Sequence, residues 1–400
     1  MKVKRGTAWC VAALASIVAG QSPSTSPYGQ PPERKSGAPL SAAMRRLYDD
    51  YGSRWLEVGE LYSNFRYSQV DGFDYQGHDG TISRRGPSKV IRVNGQYYVW
   101  YAGRRTAQPP RGVKEASATT PSTDNDLSDI WYATSKDGLA WKEEGIAIRR
   151  PAKPHSGWRS LASPDILVWK GRYYLYYQAY SETPTARADY SPFAVSVADS
   201  PGGPWRQHEK LVLERGPQGA WDQSVIHDPF LLVYQGKISL YYKGETGGPA
   251  NFRAQGLATS FDPLGPFIKN PLNPVLNSGH ETCFFPFRAG IATLVTRHGP
   301  EHNTIQYAPD GVNFRVASIS SMMPVAAGPY VPDAFADNGD GKGITWGLAH
   351  ISRIGAPEKS HGMLVRFDCS LSREASDSTL KQTDVSYPPE SYLDPEHRRK

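Results

Sequence analysis

The chain has 400 residues, with 45 basic side chains against 39 acidic ones, a formal charge of +6 and 39% hydrophobic residues. Charges of both signs are interspersed, and no basic stripe or RNA- or DNA-reading motif is found, which excludes a nucleic-acid binder. Aromatic residues reach 12%, and 38 Gly and 33 Pro supply the punctuation of a chain made of many short strands.

Lys2, Lys4 and Arg5 precede an apolar stretch from Ala8 to Ala19, too short to span a bilayer, and Val18-Ala19-Gly20 offers small residues for cleavage. This pattern predicts an export signal over 1–20 and a periplasmic or secreted protein that does not span the membrane. Cys10 lies inside the apolar stretch rather than after it, which argues against a lipoprotein anchor. Residues 21–40 are a Pro/Ser-rich linker with little to bury. The mature chain keeps Cys283 and Cys369, whose spacing dictates no pairing. In "SAAMRRLYDDYGSRWLEVGELY", Met44, Leu47, Tyr48 and Tyr51 recur at three and four. Gly52, then Trp55 and Leu56, extend this to two short packing helices, so 41–65 is predicted to be a helical interface arm.

A module recurs from residue 86. A Pro turn leads into an apolar strand, a Gly turn and an aromatic strand, then a strand of small residues ending in a Gly/Pro turn and Trp or Phe. The copies begin at "GPSKVIRVNGQYYVWYAG", "SPDILVWKGRYYLYYQAYS", "HDPFLLVYQGKISLYYKGE", "HETCFFPFRAGIATLVTRHG" and "VPDAFAD". Five four-strand units predict an all-β, five-bladed β-propeller over 66–375, followed by a polar tail at 376–400. A two-sheet sandwich would repeat less regularly. Paired tyrosines (97 and 98, 173 and 174, 241 and 242) are expected to fill the wedges between blades. "NGDGKG" at 338–343 lacks the spacing and closing Glu of a calcium loop and is expected to be a plain loop.

In a propeller the first strand of every blade lines the central channel. The starts of these strands, Gly86-Pro87-Ser88, Pro164-Asp165, His227-Asp228-Pro229, His280-Glu281 and Pro332-Asp333, should therefore meet at one mouth. A single Asp beside Pro ordinarily makes an Asx turn or caps a strand entry, and a single His is ordinarily a satisfied core residue. Four carboxylates and two imidazoles at one station are better explained as a site. Crowded carboxylates equip glycoside hydrolysis, where one group protonates the leaving oxygen and another activates water.

With "DIWYATSKDGLAWKE", "HDPFLLVYQGKISLYYKGET", "NSGHET" and "GPEHNTIQYAPDGVNF", the chain resembles glycoside hydrolase family 117 over about residues 41–370. These are exo-acting α-1,3-(3,6-anhydro)-L-galactosidases that split neoagarobiose and neoagaro-oligosaccharides. The resemblance implies a five-bladed propeller, an N-terminal arm exchanged in a homodimer, an inverting mechanism, and one divalent cation (Mg, Ca or Zn) held through waters near the mouth. It places the family's general acid on His280 and supporting carboxylates on Asp228 and Glu281. Substrate contacts fall on Trp131, Gln178, Lys243 and Glu245, with Asp165 and His227 beside them. One departure stands out. The family carries its general base in Arg-Arg-Asp-Pro-Ser, and this chain reads "RRGPS", with Gly86 at the base position. Asp79 and Asp165 are the candidates for a substitute. The resemblance thus implies an exported glycosidase of red-algal galactan oligosaccharides with an altered base, or a catalytically silent carbohydrate-binding propeller.

Overall fold

The computed structural model describes residues 29–48, 60–73, 79–183, 192–208, 211–353 and 361–382. The export signal, the Tyr51 to Leu56 half of the arm, and the tail beyond 382 lie outside the described residues.

Among the described residues the chain is nearly all β, with one α-helix, Ala42–Tyr48, and short 3-10 turns. Four hydrogen-bonded sheets follow one another along the sequence. The first holds Ile82–Arg85 and Ile91–Val93 side by side with Gln96–Arg105, then Asp129–Ser135 and Trp141–Ile148. The second runs Ser160–Trp169, Arg172–Tyr180, Phe193–Ala198, Arg206–Gln207, and the third Val225–Tyr234, Lys237–Glu245, Arg253–Ser260, Ile268–Lys269. The last sheet has eight strands. Cys283–Arg288 to Arg315–Ile319 form one antiparallel group, and Gly328–Pro329, Gly341–Arg353 and His361–Ser372 form another. The two groups are joined only where Phe287 and Arg288 pair with Lys342 and Gly341. Arg66–Ser68, from the N-terminal side, adds the outer strand of the second group by pairing with Arg366 to Asp368. The two ends of the chain therefore close one sheet together, in a propeller-like arrangement.

The leading strands of successive sheets touch around a central axis. Val90 N–H donates to Pro329 O at 2.9 Å across the first and last sheets, and Leu231 N–H reaches Asp165 at 2.7 Å across the second and third. Apolar side chains fill the wedges between sheets. Tyr241 stacks on Phe284 with ring centroids 4.0 Å apart, Trp221 stacks on Tyr242, and Tyr97 meets Tyr330 and Trp346 edge-on. The paired tyrosines are largely packing groups, as the repeat implied. Cys283 and Cys369 are buried free thiols rather than a disulfide, and burial pushes the Cys283 thiol up to about 12.

The helix starts because Ser41 caps it: the Ser41 hydroxyl accepts from Met44 N–H at 3.3 Å and donates to Pro274 O at 2.5 Å. Met44 is buried in the core between the second and third sheets, and Leu40, Leu47 and Tyr48 pack against it. Residues following the last long strand are also packed. Leu380 is buried, and the Lys381 ammonium donates to the carbonyls of Glu60 and Tyr62 at 2.6 and 2.7 Å. No helix among the described residues is long and apolar enough to cross a membrane.

Candidate active site

One backbone device repeats at the channel mouth. Gly86, Ser163, Asp228, Glu281 and Ala326 all have left-handed φ, at 55°, 45°, 54°, 55° and 48°. In the second and third sheets the pairing register slips between Ala162 and Asp165 and between His227 and Phe230, so Ser163-Pro164 and Asp228-Pro229 are bulges. Proline has no N–H for the ladder, which is why Pro87, Pro164 and Pro229 sit where the ladder is broken. A bulge re-aims the residue that starts it, as at Ser163 and Asp228, and the same left-handed turn recurs at Gly86, Glu281 and Ala326. A cavity of about 40 Å³ lies among Gly86, Ser163, Asp228, Glu281 and Ala326.

The fifth station differs from the one the sequence suggested. Ala326 stands at the mouth, whereas Asp333 is buried toward the other end of the channel, where its Oδ2 accepts from Lys342 N–H at 2.7 Å. Asp165 lies two residues below the Ser163 station. Its carboxylate accepts from Lys89 N–H at 3.2 Å and from Leu231 N–H at 2.7 Å, and it is ion-paired with the fully buried Lys89 ammonium. Asp79 caps the turn into Ile82–Arg85, accepting from Thr81 N–H at 2.9 Å and from the Thr81 hydroxyl at 2.6 Å. Both carboxylates are engaged in these contacts.

Asp228, Glu281 and His280 do come together. Asp228 Oδ2 accepts from Glu281 N–H at 3.2 Å and lies 3.6 Å from His280 Nε2 and 3.7 Å from Lys243 Nζ. Burial lifts the Asp228 carboxyl above its ordinary value, and the Glu281 charge adds to this against the pull of Lys243. Burial disfavours the Glu281 charge too, but His350, His280, Arg85 and Arg297 outweigh it and hold that carboxyl below the usual range. The Arg85 and Arg297 guanidiniums sit 3.3 and 3.2 Å from its two oxygens. Burial, reinforced by Lys243, keeps the His280 imidazole well below its ordinary value despite Glu281.

Gln178, Lys243, Glu245 and His227 border this group. Gln178 Oε1 accepts from Asp228 N–H at 3.4 Å, and Lys243 Nζ is 3.0 Å from Glu245. His227 is paired in register with Lys243, its ring 6.2 Å from that of Tyr180. Trp131 is elsewhere. Its indole packs between the first and last sheets under Arg105, whose guanidinium is 4.7 Å from the ring centroid.

Several site residues carried no sequence signal. Strand alternation sends Arg84 into the wedge, where it grips Glu143 at 2.8 and 3.0 Å, and so delivers Arg85 to the mouth. Arg85 bonds Asp124 at 3.1 Å, a buried carboxylate from the connection between the second and third strands of its sheet. Gly86 N–H donates to His350 Nδ1 at 3.2 Å, a contact that crosses 264 residues of sequence. His298 stacks on His280 at 5.0 Å. A Cβ built on Gly86 meets nothing closer than Ser163 Cα at 3.6 Å, so the station has kept room for a side chain. Among the described residues no group of three or more His, Cys, Asp or Glu side chains is arranged to hold a metal ion.

A propeller-like fold whose mouth gathers carboxylates and an imidazole defines a glycoside hydrolase, and known proteins agree. The model of glycosyl hydrolases family 43 matches residues 113–257. Zg3597, a family 117 glycoside hydrolase produced by the marine bacterium Zobellia galactanivorans, is 54% identical, with a TM-score of 0.78 over 84% of this chain and 98% of that one. The chain therefore belongs to glycoside hydrolase family 117. Two structures at 13% and 14% identity, a glycoside hydrolase and the BT0996 RGII complex, share the fold alone. Their TM-scores are 0.56 and 0.55, over 86% and 82% of this chain and 97% and 96% of theirs. No curated protein matches the chain.

Proposed function

We propose that this protein is an exported, exo-acting, inverting glycosidase of red-algal galactan oligosaccharides, with 3,6-anhydro-L-galactose or a related α-1,3-linked sugar at the cleaved end. The observation that supports it best is the contact of Asp228 with both the His280 ring and Glu281 N–H at one mouth. In this reading the eight-stranded sheet is two blades of a five-bladed propeller, bridged at Phe287–Arg288. His280 hands a proton to the leaving oxygen as the glycosidic C–O bond breaks. Its neighbour Asp228, whose carboxyl burial raises above its ordinary value, stands 3.6 Å from the ring and returns the proton to it. Water attacks the anomeric carbon from the opposite side and yields its proton to a base, which inverts the centre. With Gly86 in the usual position, we assign the altered base to Asp124, a buried carboxylate that Arg85, immediately before the gap, and Arg104 hold below its ordinary value against burial. Export to the periplasm or beyond, arm exchange between two copies and a water-held divalent cation are part of the same proposal, and no step runs through the cation.

Gly86 itself supports a second reading, a silent sugar-binding member, because a hydrogen cannot accept a proton from water. The test is turnover of neoagarobiose and a panel of galactan disaccharides by the native chain, Asp124→Asn and Gly86→Asp. A Cβ meets no close contact at that station, and Asp228 already adopts the same left-handed backbone. Native turnover that falls about 10²–10⁴-fold in Asp124→Asn supports the altered base. Activity only in Gly86→Asp establishes the silent reading, and no binding or cleavage of any galactan overturns both.

A further inference from the structure

The rim above His280 has a charge the cleavage chemistry does not use. Residues 297–299 pass through three consecutive left-handed conformations, with φ of 50° at Arg297, 33° at His298 and 93° at Gly299. Non-glycine residues are held in this region only where the surroundings over-determine them, and such strain concentrates at ligand sites. The surroundings here are dense. His298 O accepts from Gly279 N–H at 2.9 Å, Val295 O accepts from Asn303 N–H at 2.7 Å, and Glu301 N–H donates to the Ser278 hydroxyl at 2.8 Å. Arg46 of the arm clamps the same turn through Glu301 at 2.7 and 2.8 Å.

This effort holds Arg297 and His298 at the opening. Arg297 uses one nitrogen on Glu281, and its side chain remains 38% exposed. Arg253 uses its Nε on Glu245 at 3.3 Å and is 34% exposed. Both guanidiniums, with Lys243, act on the ring of His298 and depress its protonation beyond the effect of burial. Lys243 and Arg253 share Glu245, and Arg85 and Arg297 share Glu281, two carboxylates held in the ionised form. The third carboxyl, Asp228, is the one whose ionisation burial opposes. Of these four cations only Arg253 and Arg297 are about a third exposed, and a neutral anhydrosugar has no charge for them to meet. Guanidinium forks with free N–H groups match the oxygens of an oxyanion.

We propose that Arg253 and Arg297 form a subsite for an anionic substituent on the sugar, a sulfate ester or a uronate carboxylate, so that the preferred ligand is a charged galactan oligosaccharide. This rests on the glycosidase reading and sharpens its substrate class. Titration calorimetry on the full chain would compare neoagarobiose with disaccharides of the same linkage carrying one sulfate ester or ending in a uronate. The expected result is at least about tenfold tighter binding of one charged disaccharide at about 20 mM salt, with that advantage shrinking at about 200 mM. The arm that binds identifies which oxyanion the subsite takes.

Arg253→Gln should remove the advantage and leave the affinity for neoagarobiose unchanged, because Lys243 still holds Glu245. Arg253→Lys should retain part of it. If neoagarobiose binds as tightly as both charged sugars, the subsite is overturned while the glycosidase reading stands. If none of the three binds, the galactan reading falls with it. Should Arg253→Gln fail to fold, the salt dependence of the native chain still decides the matter.

Discussion

The mouth of the central channel and the floor just beneath it bury the same kinds of groups and use them in opposite ways. Below the mouth, Asp165 accepts three hydrogen bonds, two from backbone N–H groups, and its cation Lys89 also donates to Ile166 O at 2.9 Å. The Lys89 ammonium lies 4.4 Å from the Phe230 ring and 5.5 Å from the Phe335 ring, so aromatic faces complete its shell. One anion meets one cation, and every strong bond is made. At the mouth, by contrast, Asp228 and Glu281 crowd each other, and their partners are shared, longer and partly exposed. A closed pair fastens three sheets together, whereas an open, unbalanced set remains available to a ligand.

Breaking the closed pair gives the largest effect. Lys89→Met leaves the Asp165 carboxylate buried without its cation, and removing one partner of such a pair costs about 3–5 kcal/mol. Urea unfolding should show that loss, and the double variant Lys89→Met, Asp165→Leu should recover a good part of it. If the single variant is as stable as the native chain, the pair does not hold the sheets. The comparison between floor and mouth would then fail.

The repeat, the sheet boundaries and the acidic mouth were legible because strands alternate in a period of two and because Gly and Pro mark turns. Asp228, His280 and Glu281 were found because each stands directly before a leading strand. The same reasoning misplaced the fifth station. "VPDAFAD" looks like a strand entry, but the left-handed residue that defines a station is Ala326, whose side chain carries no chemistry to notice. Asp124, His298 and His350 were missed for a different reason, as was the contact role of Arg85, which stands in the quoted "RRGPS". Their places follow from contacts across tens to hundreds of residues, such as Gly86 with His350, and no local pattern encodes them. Trp131 stands beside a family motif, and its partly buried indole packs into the wedge.

His350 sharpens the comparison through pH. Burial brings its imidazole from the ordinary 6.5 down to about 4. Between those two values the unfolded chain binds a proton that the folded chain refuses, so stability is complete above pH 6.5 and falls as pH drops toward 4. At about 1.4 kcal/mol per unit, this group contributes about 3 kcal/mol at most to that decline. His350→Gln keeps an acceptor for Gly86 N–H and should flatten the slope of unfolding free energy between pH 6.5 and 4. The window sits above the range in which the depressed Glu281 carboxyl begins to protonate. An unchanged slope would show that His350 is solvated.

The smallest effect has the opposite sign to the first. Asp228 is raised above its ordinary value by burial and by Glu281, so at neutral pH its ionised form costs the folded state something that the unfolded chain does not bear. An Asn side chain there keeps an acceptor for Glu281 N–H and discards the charge. Asp228→Asn should therefore leave stability unchanged or raise it by about 1 kcal/mol, the behaviour of residues kept for function at the expense of the fold. On whatever sugar the native chain or Gly86→Asp turns over, the same change should lower kcat/KM by about 10²–10⁴-fold, because the proton source beside His280 is gone. A clear loss of stability with activity intact would make Asp228 a structural group like Asp165. The distinction between floor and mouth would then disappear.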